Sequence, residues 1–178
     1  LHCAGSKHHV KAEFPLLWHI LTHDLISSLG HPLDIIQGPF RKIANTKKTY
    51  IHVFSDLNCG FCQRLHSELA QLEGYEVREY FIQFLGATSG QKAEIVLCAE
   101  DRLDAADQFY TPGSTGASVT TAADCTPEQA RQLVMENTRF AESFGLQGTP
   151  AMILGNGVRF RGGYMPAAEI RAFAEANL

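Results

Sequence analysis

Two cysteines three residues apart, Cys59 and Cys62, carry the chemistry that residue type and spacing make available here. They follow an apolar run, Tyr50-Ile51-His52-Val53-Phe54, and a short polar turn, Ser55-Asp56-Leu57-Asn58. Behind them Leu65, Leu69 and Leu72 fall on one face of a helical pattern. The pair therefore sits where a strand hands over to a helix, the placement a redox dithiol needs. At a helix N-terminus, unpaired N–H groups and the aligned peptide dipoles favour an anion. A Cys59 thiolate there has a lowered pKa and is the better nucleophile near neutral pH. Cys62, one turn on, is placed to attack a mixed disulfide on Cys59 and release the substrate. Gly60 is read as the residue that lets the backbone turn tightly between them. The competing chemistry is half of a zinc site. Tetrahedral zinc wants four ligands, and there is no second Cys-x-x-Cys, so His66, Cys98 and Cys125 would have to supply the rest from a distance. The local spacing favours the redox reading.

The elements that must hold this pair are legible on both sides of it. Residues 49–54 read as a strand, residues 60–72 as a helix ended near Gly74, and residues 75–85 as a second strand, giving β-α-β. Gly86 to Gly90 breaks the pattern. Residues 91–101 read as a helix, which residues 104–110 extend as a second short one. Residues 111–124 form a loop rich in Gly, Ser, Thr and Ala. Thr126 then reads as an N-cap with Pro127 at the first helical position, opening a helix to about Phe144. Residues 87–146 are thus expected to be a mostly helical insertion. After it, Gly148-Thr149-Pro150 precedes an apolar strand, residues 151–154. Asn156-Gly157 reads as a hairpin turn, residues 158–161 as the returning strand, and Pro166 as the start of a last helix to about Asn177. The closing half is therefore β-β-α, and the whole is an α/β chain.

Ahead of this domain lies an extension, residues 1–48. Phe14, Leu17, Trp18, Leu21, Leu25 and Leu29 follow helical spacing, so residues 14–29 read as an amphipathic helix ended by Gly30, His31 and Pro32. Its apolar stripe has to pack on something, either the domain or a second copy of the chain. No stretch reaches the length of a spanning helix; the most apolar candidate, residues 14–29, carries His19, His23 and Asp24. The chain opens on Leu1 rather than Met, as it would after removal of a leader. At 178 residues, 45% hydrophobic and 19% charged, the composition is that of a globular domain with a sizeable core. The net charge of −4 gives no reason to expect a nucleic-acid partner. Six of the eight histidines lie in the first 31 residues, where solvated surface is the simpler account than a metal patch.

Five cysteines is an odd number. Cys98 and Cys125, about 27 residues apart, are either two free core thiols or a disulfide. A bridge of that span would stabilise by roughly 3.5 kcal/mol and imply an oxidising compartment. Cys3 is left over near the terminus.

Taken together, these segments resemble the bacterial periplasmic disulfide isomerases of the DsbC/DsbG type, with their thioredoxin-like fold. Phe54-Ser55-Asp56 before Cys59-Gly60-Phe61-Cys62, and Leu65-His66 after it, look like that family's active-site segment. Gly148-Thr149-Pro150-Ala151 looks like its cis-proline loop. Asn156-Gly157, Gly163-Tyr164 and Pro166 follow in the same order, and the resemblance covers residues 48–178. It implies that Cys98 and Cys125 form a structural disulfide in the helical insertion. It also implies that the Thr149–Pro150 bond is cis, and that Thr149 and Pro150 hold an extended substrate across from Cys59. The family carries a dimerisation domain and a linker helix at its N-terminus. Here the helix at 14–29 is expected in the linker's place, where it offers a route to a homodimer.

The activity expected is that of a thiol-disulfide oxidoreductase that reduces or isomerises disulfides of exported proteins in the periplasm. It would act on unfolded or misoxidised proteins and be recycled by a membrane thiol-disulfide reductase. No organic cofactor is needed, because the dithiol is itself the redox group. A dithiol oxidase and a chaperone-like binding module are the alternatives. Phe61 is expected to touch substrate. Phe54, Met152 and Tyr164 either join it in an apolar collar or, for Phe54 and Met152 above all, belong to the core. Asp56 is read as capping the turn before the helix, and His66 as an ordinary helix residue.

Overall fold

The computed structural model describes residues 40–41, 49–160 and 162–178. Cys3, the N-terminal histidines and the helix expected at 14–29 lie outside them. Among the described residues, the elements run β1 (Phe40–Arg41), β2 (Thr49–Ser55), α1 (Gly60–Leu69), β3 (Tyr75–Phe81), α2 (Ala87–Leu97), α3 (Arg102–Tyr110), α4 (Pro127–Ser143), β4 (Ala151–Leu154) and α5 (Ala167–Ala176). The sheet order is β1-β3-β2-β4, with β2 parallel to β3 and both outer strands antiparallel to their neighbours. The central strand β2 is the one that ends at the dithiol. Its β-branched and aromatic residues suit a strand buried on both faces, and Ile51 through Ser55 are all buried.

Strand periodicity sorts the core into two faces. Ile51 and Val53 of β2 and Tyr75 and Val77 of β3 share a cluster with Leu65 and Leu69 of α1 and Ile170 and Ala174 of α5. Burying a side chain such as Leu65 completely is worth about 1.5–3 kcal/mol, so α1 is anchored by its apolar stripe rather than by a strong cap. On the opposite face Phe54 stacks on Tyr80 and on Phe140 of α4, at ring-centroid distances of 5.2 and 5.7 Å. A further cluster fills the helical insertion and reaches the site itself, joining Val96, Leu97, Ala106 and Phe109 to Leu57 and Cys62.

Several boundaries differ from the sequence reading, each for a local reason. The second strand stops at Phe81 rather than at 85. Beyond Ile82, whose N–H still donates to the Ser55 carbonyl at 2.9 Å, the Gln83 N–H goes to Thr138 Oγ1 and the Leu85 N–H to Asp56 Oδ2. Side chains have replaced a strand as acceptors. The next helix starts at Ala87, not 91, and runs through Gly90. That glycine is a packing residue instead of a breaker: a Cβ on it would lie 2.3 Å from Gln83 Oε1. Residues 158–160 do not form a returning strand, only a bridge of Arg159 to Ile153. The turn itself is present, with Gly157 at φ 87° and Asn156 Oδ1 accepting from the Val158 N–H. The short edge strand β1 went unread, since two residues carry no periodicity. Thr126 and Gln129 form a reciprocal capping box behind Pro127, as the helix-start signal implied.

Cys98 and Cys125 are joined in a disulfide. It ties the end of α2 to the turn that precedes α4. Replacing both by serine is expected to lower the stability of the oxidised protein by about 2–4 kcal/mol, read as a lower urea midpoint. Reductant should lower the native midpoint by a similar amount and leave that of the double variant unchanged.

Candidate functional site

The site is built where β2 ends. Asp56, wholly buried, accepts the Asn58 N–H on Oδ1 and the Leu85 N–H on Oδ2, both at 2.8 Å. Its own carbonyl accepts the Cys59 N–H at 2.9 Å. One buried side chain thus satisfies two backbone donors and fixes the turn into α1 against the segment after β3. Asn58 extends the tie sideways, donating to Thr88 Oγ1 and Ser89 Oγ at the start of α2 and accepting from Lys92 Nζ at 2.7 Å. The turn role expected for Asp56 is present, together with a long-range one that its position in the sequence does not reveal.

Cys59 occupies the N-cap position of α1 with extended backbone. Its thiol donates to the Thr149 carbonyl at 3.3 Å, and the Thr149–Pro150 peptide bond is cis. Burial works against ionisation of Cys59. It is outweighed by hydrogen bonds to the sulfur from the Thr149 side chain, from the backbone N–H and thiol of Cys62, and from the Phe61 N–H, so the pKa falls below the usual thiol value. The first-turn amides that a serine or aspartate oxygen would ordinarily cap are here available to a sulfur anion. Cys62 is the opposite case. It is buried, and burial together with the charge on Cys59 pushes its thiol well up, although the Asp56 N–H points at the sulfur at 3.5 Å. Both are free thiols. One sulfur is thus primed to attack while the other is held protonated.

Gly60 is not the tight-turn residue expected. It is the first residue of α1, its φ is not positive, and a Cβ built on it meets nothing within 4 Å. The glycine that backbone approach does require is Gly163, where a Cβ would press on the Pro150 carbonyl at 3.2 Å. Phe61 is 54% exposed beside the dithiol, with the Arg64 guanidinium 4.4 Å above its ring and also facing Tyr164. Phe54 and Met152 are buried in the core. Tyr164 is held by a hydrogen bond to Glu68 Oε1, whose other oxygen accepts the Ala167 N–H at the start of α5. A cavity of about 240 Å³ opens on the other flank of Cys59, between α1 and the end of α3.

The zinc reading fails on the bonding of its other candidates. Cys98 and Cys125 are spent on each other. His66 is engaged by two carboxylates: Nδ1 lies 3.6 Å from Glu79 Oε2, and Nε2 meets Asp107 Oδ1. Nor is His66 the ordinary helix residue expected. It stands in a buried polar group beneath the dithiol that sequence reasoning did not assemble, with Glu79 and with Tyr110, whose hydroxyl donates to Glu79 Oε1 at 2.8 Å. The signal was the alternation of β3, where Tyr75, Val77, Glu79 and Phe81 share one face. An acid at such a position needs partners. Burial opposes the charge on both groups, but the attraction between them prevails, joined at His66 by Asp107. His66 is held above its usual pKa and Glu79 below its own.

A Cys-x-x-Cys pair at a helix N-terminus, one sulfur partly exposed and the other buried, beside a cis-proline that precedes an edge strand of a four-stranded mixed sheet, defines a thioredoxin-like protein. The sequence matches the thioredoxin-like domain family over residues 37–177, and the chain belongs to that family. The thiol:disulfide interchange protein DsbC of Escherichia coli K12 is 27% identical over 138 residues, covering 75% of this chain and 54% of that protein. That of Dickeya dadantii is 28% identical over 163 residues, covering 89% and 61%. The chain therefore spans about half the length of the DsbC proteins it matches. Among solved structures, the disulfide interchange protein from Neisseria gonorrhoeae superposes with a TM-score of 0.64 at 27% identity, covering 78% of this chain and 94% of that one.

Replacing His66 by glutamine is expected to leave Glu79 buried without its countercharge, at a cost of about 3–5 kcal/mol. The raised His66 pKa supplies stability that is complete below 6.5 and fades as pH rises through the folded value. The lowered Glu79 pKa supplies stability that is complete above 4.5 and fades as pH falls through its folded value. The stability gap between native and variant chains should therefore be widest between pH 4.5 and 6.5, as measured by urea unfolding across pH.

Proposed function

We propose that the chain is a thiol-disulfide oxidoreductase that reduces or isomerises disulfides in exported proteins. The observation that carries this reading is the asymmetry of the pair: Cys59 primed beside the Thr149–Pro150 loop, Cys62 buried and protonated one turn below. The Cys59 thiolate attacks one sulfur of a substrate disulfide. A mixed disulfide forms, and the other substrate sulfur leaves as a thiolate that takes up a proton. If a second substrate thiolate attacks the mixed disulfide, Cys59 is regenerated and the substrate has been reshuffled with no net redox change. If Cys62 gives up its proton and attacks Cys59 instead, the Cys59–Cys62 disulfide forms. The substrate then leaves with both electrons of the dithiol, and its sulfur is protonated.

Pro150 and Thr149 would hold extended substrate backbone across from Cys59, and exposed Phe61 would meet its apolar side chains. The substrates would be unfolded or misoxidised proteins. A disulfide outside the active pair supports an oxidising compartment, and the DsbC-type relatives support the periplasm. There a membrane thiol-disulfide reductase would return the pair to its reduced form.

One observation favours a second reading, a dithiol oxidase. A thiolate stabilised as at Cys59 favours the reduced protein and so raises its oxidising power. Equilibration with glutathione separates the readings. A potential near −120 mV marks an oxidant, and one well below it a reductant or isomerase.

The direct test is reactivation of a substrate with scrambled disulfides. The native chain is expected to restore activity, Cys59→Ser to drop to the uncatalysed rate, and Cys62→Ser to keep part of the rescue, since reshuffling needs only the attacking thiol. Full rescue by Cys59→Ser would remove the redox reading and leave a binding module.

A further inference from the structure

The cavity beside Cys59 has a chemistry of its own. Its walls are Cys59, Gly60 and Gln63 of α1, Tyr110 and Ser114 around the end of α3, and Lys92 of α2. Among the described residues, Lys92 is the one residue of the lining with a formal charge at neutral pH besides an ionised Cys59, and no acid lines the cavity. The lysine is half-buried, and its ammonium has an amide oxygen, Asn58 Oδ1, as partner. Among the described residues no carboxylate comes within ion-pair distance of it. Nor is it left to wander. Thr88 and Ser89 hold the Asn58 amide nitrogen, which leaves the oxygen to fix Lys92 in place. Gln63, in turn, is tied to the Tyr110 carbonyl.

We propose that Lys92 makes this cavity a subsite for an acidic side chain close in sequence to the cysteine that Cys59 attacks. The inference rests on the thiol-disulfide exchange proposed above and names a specificity determinant for it. Cys59 and Lys92 line one cavity of about 240 Å³, so a chain whose sulfur is at Cys59 reaches Lys92 with a residue near the attacked cysteine, each residue spanning about 3.3–3.6 Å. A carboxylate approaching an ionised Cys59 would be repelled; the fixed ammonium offsets that repulsion and supplies the ion pair. Because Lys92 is already held by Asn58, little side-chain freedom is lost when the acid arrives.

The test uses three short peptide disulfides that differ at one residue flanking the cysteine: Glu, Gln or Lys. Exchange rates are measured with the full chain and with Lys92→Gln and Lys92→Glu. The native chain is expected to prefer the Glu peptide to the Gln peptide by about three- to fivefold at low salt, with the preference shrinking as ionic strength rises. Lys92→Gln should favour Gln over Glu, and Lys92→Glu should favour the Lys peptide. This exchange of preferences is one that a merely structural lysine would not produce. Equal rates for Glu and Gln peptides with the native chain overturn this inference alone. Exchange with none of the peptides overturns the functional reading and this inference with it.

Discussion

Everything at this site depends on holding two sulfurs, one helical turn apart, in different dielectric surroundings. A thiolate needs either water or fixed donors. Cys59 has the donors: the first-turn amides of α1 and the Thr149 side chain outweigh its partial burial. Cys62 has the burial without enough donors to compensate it. The helix start therefore has to be fixed, because moving it by one position would take Cys59 out of the N-cap position. Asp56 supplies that fixation from the end of β2 by bonding the turn and the segment after β3 at once. The apolar contacts of Leu65 and Leu69 hold the rest of the helix to the sheet.

The polar group below the dithiol shows what such a design has to accommodate. A buried carboxylate such as Glu79 is unfavourable unless it is paired and hydrogen-bonded. His66 and Tyr110 supply both, from a different helix each. Those two residues thereby link α1 to α3, across the boundary between the sheet and the helical insertion. His66 falls on α1 four residues after Cys62, so the same helix face that buries the Cys62 thiol also carries the countercharge. The insertion is therefore more than an appendage: its residue Tyr110 reaches into the core of the site, and its disulfide braces the C-terminal end of α2, the helix whose Lys92 lines one cavity with Cys59.

Much of this was legible in the sequence, and the legible part has a physical signature. The Cys-x-x-Cys pair between an apolar strand and an amphipathic helix, the Thr149–Pro150 segment ahead of β4, and the Thr126–Pro127 helix start are all local patterns whose chemistry acts over a few residues. Features set by long-range contact were misread or missed. Gly60 looked like a turn residue because glycine usually marks one, whereas the steric demand falls on Gly163 against Pro150. Gly90 reads as a break in the sequence, whereas in the fold it lies inside α2 and packs against Gln83. Glu79 carried a signal in the alternation of β3, but its partners lie on α1 and α3, and no spacing rule connects them. His66 was discounted for the same reason.

The central claim is the division of labour between the two thiols, and the most direct measurement is the pH dependence of alkylation of each cysteine in the reduced native chain, resolved by peptide mass analysis. The expected result is fast labelling of Cys59 with a midpoint below the ordinary thiol value of about 8.5. Cys62 should stay unlabelled until the protein is unfolded. Labelling of both at similar rates, or of Cys62 first, would contradict the assignment of Cys59 as the attacking sulfur.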